Sequence, residues 1–552
     1  MSVLAVMRMA VCVAVCVWNL CACADTPLLS DSQVMLSDGT VLQGTSSGAV
    51  ASFKGIRYAK PPIGALRWAP PQPYEYMSDE VVDATAFGSH CIQSVWPNGS
   101  EDCLFLNVFA PEDALSNPDT RLPVYVFIHG GSYISGSSKF YPGEDIVEYW
   151  GGQIIVVTLD YRLNVFGFIA SEELRKQDPN MGSSGNYGLQ DQRMCLQWIQ
   201  KNIVSFGGDS SRVTLAGESA GGGSVSNHLT MKASWDLFAA AVVESGSFAQ
   251  WTAQPMSRAQ EVYIELQTLL NCSDLSCMLE KSTEEVYNAH ISNTEANKYL
   301  SPYVPTVDGV EMTTHPWLAL NTGDITDIPI LHGTNADEGI LFTCLDQRYG
   351  VSESELVTYW LENRGYSPRE VRKLMDLYVY DKADTYPSTP HERITTTEWW
   401  ALQRSTGDDM FSCPAKHASQ QLARLQETGA RKSNTSLYHF EYTSMMSSYA
   451  IHSAEMPYVF HWSLGTSVDS MLADLMSSYW GNFAVSATHD PNTISVGTPS
   501  LPYWASYTFE GDECLVIPNE QDISVVHGLK HDECEFHITH IDSSVRADFG
   551  SV

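Results

Sequence analysis

The segment VTLAGESAGGGSVSNHL, residues 213–229, most constrains what this chain can fold into. It runs from a β-branched stretch into a glycine-dense stretch, with Ser219 at the centre of a Gly-x-Ser-x-Gly pattern. Glycines beside Ser219 would let the chain turn sharply where larger side chains would crowd the turn. The run Gly221–Gly223 would weaken an isolated helix by about 1 kcal/mol per glycine relative to alanine. We therefore expect a strand, a turn with Ser219 at its tip, and a helix packed closely on the strand.

The Gly-x-Ser-x-Gly pattern is weak by itself, so its surroundings must decide what it means. A second match, Gly44–Gly48, lies between two strand-like runs and predicts a hairpin turn. The segment around Ser219 instead predicts a serine at the top of a sheet, beside a helix N-terminus whose free N–H groups favour developing negative charge. These surroundings indicate a nucleophilic serine.

A nucleophilic serine needs a base, an orienting acid and hydrogen-bond donors for the oxyanion. Upstream of Ser219, the apolar run Val124–Ile128 ends in a His-Gly-Gly tripeptide, residues 129–131. Glycines at that point would let backbone N–H groups approach a substrate carbonyl. They predict the second half of an oxyanion hole, beside the N–H group of Ala220.

The N-terminal residues predict export through the secretory pathway. Arg8 precedes an apolar run that extends through Val17, and small residues follow at Cys21–Ala24. This is the pattern of a signal peptide over residues 1–24, and the apolar run is too short to span a bilayer. No other segment approaches the length of a transmembrane helix, and the C-terminal SSVRADFGSV lacks a hydrophobic tail for a lipid anchor. We therefore expect a soluble protein that is secreted or lies in the lumen of the secretory pathway.

Residues 25–552 predict a single domain, because they contain no linker-like tract, no block of like charge and no repeat of fixed period. The formal net charge of -34 argues against nucleic acid as a partner, since neutralising phosphates needs lysine and arginine. The charge could attract cationic ligands into a cleft, although solubility is the simpler interpretation.

The cysteine count agrees with an oxidising compartment. Four of the 13 cysteines fall within the predicted signal peptide, so nine remain, and pairing is expected with at least one thiol left over. Three Asn-x-Ser/Thr sequons predict glycosylation, at Asn98, Asn271 and Asn434.

Several longer motifs follow one another in order along the chain. They are FKGIRYAKPPIGALRW, SEDCLFLNVF, IHGGSYISGSS, DYRLNVFGF, GNYGLQDQRMCLQWIQKNIVSFGGDSSRVTLAGESAGG, GTNADEGILF, AIHSAEMPYVF and YWGNFAVSATHDPN. By these motifs essentially the whole mature chain resembles the type B carboxylesterases and cholinesterases of the α/β-hydrolase fold. The resemblance implies an α/β domain with a large, mostly parallel central sheet flanked by helices. It also implies a small-molecule ester substrate and no cofactor or metal.

The resemblance places the catalytic triad of the family on Ser219, Glu338 and His452, in the chain order of α/β-hydrolases. In these roles the imidazole removes the serine proton, and the carboxylate fixes the tautomer of the imidazole and stabilises the imidazolium. Glu338 follows the strand-like run IPILHG. Asp337 is the rival acid from sequence alone, although the family position matches Glu338.

The resemblance also assigns the backbone N–H groups of Gly131, Ser132 and Ala220 to the oxyanion hole. The family commonly has a third glycine where this chain has Ser132, so this donor depends on the backbone angles of a serine. Glu218 matches an acidic position near the floor of the cleft, and Glu455 matches an acid close to the triad.

The disulfide pattern of the family maps onto three pairs of cysteines, Cys91 with Cys103, Cys272 with Cys277, and Cys413 with Cys534. Three further cysteines are then left over, namely Cys195, Cys344 and Cys514. Cys195 lies in a helical run and is most simply a buried small apolar residue. The series His527, His531, Cys534 and His537 has zinc-like spacing, but the disulfide is the better use of Cys534.

Substrate choice is the least constrained inference. Cholinesterases that this chain resembles hold a quaternary ammonium on aromatic faces, and only Trp96 lies between Cys91 and Cys103 as a candidate for their key tryptophan. The family's aromatic position after the acid is Leu341, followed by Phe342, and Tyr133 is the aromatic residue beside the oxyanion glycines. Trp251 is the candidate for an acyl pocket. These residues favour an apolar pocket for general or lipid-like esters over a choline-specific gorge.

Three alternatives remain open from the sequence. One is a cholinesterase-type enzyme, and another is a lipase that acts at lipid interfaces. The third belongs to a different class, because some relatives of this family are binding or adhesion ectodomains that have lost the triad. The oligomeric state stays open.

Overall fold

A mixed sheet of eleven strands forms the centre of the computed structural model. The structure describes residues 32–77, 81–94, 98–296, 301–343, 350–382, 386, 396–443, 449–462, 467–497 and 500–550. The predicted signal peptide, Trp96 and Cys344 lie outside the described residues.

The strands are short at the N-terminal edge and longest next to the predicted nucleophile. They are β1 Gln33–Met35, β2 Val41–Gln43, β3 Thr45–Ser47, β4 Val50–Arg57, β5 Val81–Asp83, β6 Phe105–Pro111, β7 Leu122–Ile128, β8 Ile155–Leu159, β9 Gly208–Glu218, β10 Ala240–Glu244, β11 Gln254–Pro255, β12 Thr306–Val307, β13 Ile330–Asn335, β14 Thr435–Phe440, β15 Glu513–Ile517 and β16 Ser524–His527.

Helices follow most of the central strands and cover the sheet. They are α1 Glu112–Ser116, α2 Glu144–Tyr149, α3 Asn164–Phe168, α4 Tyr187–Asn202, α5 Ala220–Thr230, α6 Met256–Leu269, α7 Leu275–Glu280, α8 Thr283–Ala296, α9 Pro316–Thr322, α10 Glu353–Thr358, α11 Pro368–Tyr378, α12 Thr397–Gly407, α13 Cys413–Glu427, α14 Met456–Val459, α15 Ser467–Val485 and α16 His531–Phe549.

The large sheet has the strand order β16-β15-β14-β13-β10-β9-β7-β8-β6-β4-β3. The strands from β8 to β15 along this order pair in parallel, and those at the two edges pair antiparallel. Strands β8 and β10 read IVVTL and AAVVE and are buried along their whole length, as expected when helices cover both faces of a parallel sheet. The predicted fold class, an α/β domain with a mostly parallel central sheet, is confirmed.

The parallel strands bring distant parts of the chain to one edge of the sheet. Strands β9, β10, β13 and β14 are neighbours, and their carboxyl ends therefore meet. Ser219 directly follows β9, Glu338 lies three residues after β13, and His452 belongs to the loop after β14. Ligand sites in α/β sheets form at this edge.

The second Gly-x-Ser-x-Gly match forms a hairpin, but the prediction placed the turn too early. Residues Thr45–Ser47 form strand β3, which pairs antiparallel with the start of β4. The turn itself is at Gly48, where φ is +63°, and at the following alanine. Pairing with β4 and the burial of Thr45 and Ser46 outweighed the turn propensity of the two serines.

The three disulfides implied by the resemblance are present, as Cys91–Cys103, Cys272–Cys277 and Cys413–Cys534. Cys195 and Cys514 are free thiols and both are buried, as predicted for Cys195. Because Cys534 is bonded to Cys413, it offers no thiolate for a zinc ion. Within the described part of the chain, no helix combines the length and the apolar character needed to cross a bilayer.

Glycine is required where α5 approaches the sheet. A Cβ atom at Gly221 would lie 2.0 Å from the carbonyl oxygen of Ile128, and one at Gly222 would lie 2.6 Å from that of Glu244. These contacts confirm the predicted close packing of helix on strand, since backbone cannot yield as a flexible side chain could.

We expect Gly221→Ala to lower the free energy of unfolding by about 1–3 kcal/mol or more, because the added methyl group overpacks a backbone contact. Urea unfolding followed by fluorescence measures this change. Gly48→Asn is the matched control, because its turn is open and asparagine tolerates positive φ. Equal stability of Gly221→Ala and wild type would contradict the close packing.

Candidate active site

The turn between β9 and α5 holds Ser219 in a strained conformation. Its φ of 58° and ψ of -123° lie far from the conformations that a serine ordinarily adopts. The N–H of Ser219 donates to the carbonyl of Glu244 at 2.9 Å, and the N–H of Gly223 donates to the carbonyl of Ser219 at 2.8 Å. Ser219 is only 7% exposed, so little of its side chain reaches solvent.

The His-Gly-Gly turn after β7 passes directly beside this serine. A Cβ atom at Gly130 would lie 2.8 Å from the Cβ of Ser219, so glycine alone permits the approach. Gly131 has φ of 110°, and Ser132 has φ of 55° in the left-handed region. Ser132 therefore takes a backbone conformation that favours glycine, which explains why the family commonly has glycine there.

Three backbone N–H groups surround the serine without a protein partner. They belong to Gly131, Ser132 and Ala220, and none of them donates to another described residue. The N–H of Ala220 is also the first of helix α5, where the helix dipole favours negative charge. Such unpaired donors are the chemical requirement of an oxyanion hole.

Glu338 and His452 form a buried hydrogen-bonded pair. The Nδ1 atom of His452 lies 2.5 Å from Oε2 of Glu338. The other oxygen of Glu338 accepts hydrogen bonds from the hydroxyl of Ser245 at 2.5 Å and from the N–H of Asn335 at 2.7 Å. These donors fix the carboxylate so that it orients the imidazole.

The rival acid Asp337 has a different role. Its carboxylate accepts the N–H of Ala450 at 3.1 Å and pairs with Arg404 at 2.8 Å. Asp337 thereby anchors the start of the loop that carries His452 and makes no contact with the imidazole in the structure.

The other ring nitrogen of His452 faces Glu218. Nε2 lies 3.2 Å from Oε1 of Glu218, and it has no hydrogen-bond partner among the described residues, Ser219 included. The same oxygen of Glu218 accepts the hydroxyl of Ser453 at 2.5 Å. Hydrogen bonds of catalytic groups are often long or unmade before substrate binds.

Carboxylates set the protonation of this histidine. Burial by itself lowers the pKa of His452, but the charges of Glu218 and Glu338 outweigh burial and raise the pKa to about 9. Glu455 is fully buried, and burial together with Glu218 and Glu338 raises its pKa to about 8. Glu218 and Glu455 are therefore parts of the site and not surface charges.

Aromatic rings line the recess around the imidazole. The rings of Phe342 and Phe411 lie 5.0 Å and 4.8 Å from the His452 ring, centre to centre. Trp251 lies 5.7 Å from Phe411, and its indole N–H donates to the carbonyl of Met410. Tyr133 lies beside Trp251, since a Cβ built at Gly223 would contact both side chains.

Phe411 is a site residue that the sequence did not predict. It belongs to a π-helical turn, Asp408–Ser412, between α12 and α13, and π turns recur at functional sites. No motif or spacing in the sequence marks this turn. Leu341, which the sequence placed in the pocket, is half-buried at the end of the short helical turn that begins at Glu338.

The comparisons with known proteins show the family of the chain. Residues 30–537 match the model of the carboxylesterase family. The chain is 32% identical over 516 residues to the para-nitrobenzyl esterase of Bacillus subtilis, which covers 88% of this chain and 95% of that protein. It is 31% identical to the pyrethroid hydrolase Ces2e of Rattus norvegicus, over 84% of this chain and 81% of that protein. It is 30% identical to the cholinesterase of Mus musculus, over 89% of this chain and 83% of that protein.

We expect Glu218→Gln to move the acidic limb of the kcat/KM profile to lower pH by about one pH unit or more, because a nearby anion that favours the imidazolium is removed. The imidazole must be neutral to accept a proton, so the raised pKa of His452 makes activity fall as the pH decreases through about 9. Ester hydrolysis measured across the pH range tests this expectation. Glu172→Gln, at an exposed acid, is the control, and an unmoved limb in Glu218→Gln would contradict the assigned contact.

Proposed function

The chain belongs to the carboxylesterase family and is a serine-type carboxylic ester hydrolase, and we propose that it acts through a triad of Ser219, Glu338 and His452. The observation that carries the proposal is the buried hydrogen bond between His452 and Glu338, formed beside a strained serine at the edge of a parallel sheet. Such an acid and base, next to a serine on a sharp strand-to-helix turn, are the parts that acyl transfer needs.

Acylation begins when His452 Nε2 turns from Glu218 to the serine hydroxyl and removes its proton. The Ser219 oxygen attacks the ester carbonyl, and the negative oxygen of the tetrahedral intermediate accepts the N–H groups of Gly131, Ser132 and Ala220. The bond to the alcohol then breaks, and the alcohol leaves with the proton from His452. An acyl ester on Ser219 remains.

Deacylation repeats these steps with water. His452 removes a proton from water, the hydroxide attacks the acyl carbon, and the acid leaves as the proton returns to Ser219. Glu338 holds the imidazolium in both halves through Nδ1. Loss of one oxyanion donor typically raises the barrier by about 3 kcal/mol, so the strained turn at Ser132 matters as much as the orienting acid.

The substrate inferred from the recess is an ester with apolar groups. Phe342 and Phe411 place two aromatic rings close to the imidazole, and Trp251 lies against Phe411, where the groups flanking the ester carbonyl would lie. Apolar walls with few polar groups are typical of sites for small apolar ligands. General carboxylic esters suit a site with this apolar lining.

A cholinesterase-type activity is the second candidate. The mouse cholinesterase is among the relatives, and a quaternary ammonium could rest on an aromatic face near the buried acid Glu218. The kinetic comparison of acetylthiocholine with p-nitrophenyl esters of graded chain length separates the two candidates. A clear preference for acetylthiocholine would make the cholinesterase-type activity the first candidate.

We also infer secretion. Three disulfides suit an oxidising compartment, and the sequon residues Asn98, Asn271 and Asn434 are all exposed and accessible to glycosylation. The proposed form is a single domain of residues 25–552 after removal of residues 1–24. Mass spectrometry of the protein secreted by eukaryotic cells, before and after glycosidase treatment, tests cleavage and glycosylation together.

We expect Ser219→Ala to lose turnover by at least about a thousandfold and to lose labelling by a radioactive organophosphate, because the nucleophile is absent. The fold should be retained, since Ser219 contributes its backbone hydrogen bonds and not its side chain to the turn. Circular dichroism checks the fold. A catalytically unused binding ectodomain would instead show no labelling of the wild-type protein.

We expect Phe411→Ala to raise kcat/KM for a long acyl chain relative to acetate by about tenfold, because removing the ring opens space beside His452. The series of p-nitrophenyl esters from acetate to decanoate measures this ratio. Phe509→Ala, at a partly exposed ring on the surface, should leave it unchanged. An unaltered ratio in Phe411→Ala would remove Phe411 from the substrate pocket.

A further inference from the structure

Glu244 is a buried acid that the proposed mechanism does not use. It is the last residue of β10, it has no exposed surface, and both of its carboxyl oxygens lack a hydrogen-bond partner among the described residues. Its backbone carbonyl accepts the N–H of Ser219, so the residue lies directly against the nucleophile turn.

Strand register places Glu244 beside another acid. Strands β9 and β10 run parallel, and Glu244 is the register partner of Glu218. Side chains of register partners leave the same face of a sheet at neighbouring positions. Like charges in such positions repel, and this pair is buried, where repulsion is stronger than in water.

The other acids of this group each have hydrogen-bond donors. Glu338 accepts from Ser245 and from the N–H of Asn335, and Glu218 accepts from Ser453. Glu455 accepts from the side-chain amide of Asn335 at 2.5 Å and from the hydroxyl of Tyr438 at 3.2 Å. Glu244 has no such donor among the described residues.

The ionisable groups that face Glu244 come from every element packed around it. They are Glu218, Glu455, Tyr125, Tyr141 and Tyr438. None of these groups is a lysine or an arginine. The indole of Trp480 approaches Glu244 closely enough to oppose its protonation, but its N–H does not reach hydrogen-bond geometry.

An ionised carboxylate in this place would be buried without a partner and next to another acid. Burying an unpaired charge is far more costly than burying the neutral acid, so a group in this position takes up a proton. Burial raises the pKa of Glu244 well above its usual value, and the neighbouring Glu455 and Glu218 raise it further.

We propose that Glu244 is held as a neutral carboxylic acid behind the nucleophile, so that it adds no negative charge to the neighbouring acids Glu218 and Glu455. Neutral Glu244 limits the negative charge behind the nucleophile turn, and its proton takes no part in turnover. An anion at Glu244 would oppose the developing oxyanion on the other side of the Ser219 turn and would raise the pKa of His452 further. The catalytic part of this inference rests on the proposed function.

The test compares Glu244→Gln with wild type in the pH dependence of kcat/KM for a p-nitrophenyl ester. A neutral amide replaces a neutral acid of the same shape, so the acidic limb should keep its position and kcat/KM should stay within about threefold. Glu218→Gln is the matched control, because it removes the carboxyl group 3.2 Å from His452 Nε2 and should move the limb to lower pH. The proposal would be overturned if the acidic limb of the kcat/KM profile moved as far in Glu244→Gln as it does in Glu218→Gln.

A second measurement does not depend on turnover or on the folding of a variant. The infrared spectrum of the wild-type protein, compared with that of protein carrying isotope-labelled glutamate carboxyls, should show a C=O band of a protonated glutamic acid. This band should persist well above the pH range in which ordinary glutamic acids titrate.

The band of Glu455 should fade near pH 8 and so be distinguishable from that of Glu244. If Glu244→Gln folds, its spectrum should lack only the persistent band. Absence of any persistent protonated carboxyl in the wild-type protein would overturn the proposal, whatever the outcome of the Ser219→Ala experiment. Conversely, activity in the Ser219→Ala protein would refute the proposed triad. The infrared spectrum would still decide whether Glu244 is protonated.

Discussion

The close approach of helix α5 to the ends of the parallel strands is the constraint on which the site depends. No side chain separates the glycines of its first turn from the backbone of β7 and β10. Two backbone hydrogen bonds, one to Glu244 and one from Gly223, hold Ser219 in its strained conformation. The same packing brings the glycine turn after β7 beside the serine. The nucleophile and the oxyanion donors are therefore positioned by backbone, which packing fixes more rigidly than it fixes a side chain.

The second requirement is a balance of buried charge. Parallel strands end at one edge of the sheet, and here their ends carry acids, so several carboxyl groups meet around one imidazole. Hydrogen-bond donors decide what each acid can do. Glu338 has two donors that hold it against His452, whereas Glu244 has none and suits a neutral form. The ends of the strands thus supply both the carboxyl group that orients His452 and a neighbouring acid that suits a neutral form.

Much of the fold and part of the site could be predicted from the sequence, because their signals are local. The strand, the sharp turn and the close helix around Ser219 follow from the spacing of glycines, and the resemblance supplied the disulfides. The choice between Asp337 and Glu338 needed either the family or the structure, because the two residues are adjacent and alike in chemistry. Phe411 was missed because its contact with His452 joins two distant segments, and its π turn has no sequence period. The orientation of Nε2 towards Glu218 was missed for the same reason.

By itself, the sequence determined which segments become strands, helices and tight turns, because these depend on neighbouring residues and on where glycine is needed. Only the tertiary structure decided the chemistry of the acids. Glu338 and His452 are 114 positions apart, and their hydrogen bond exists because β13 and β14 lie side by side. Burial and the presence or absence of a hydrogen-bond donor then give four chemically identical glutamates different properties. The protonation of a carboxyl group depends on its surroundings in space and not on its neighbours in the chain.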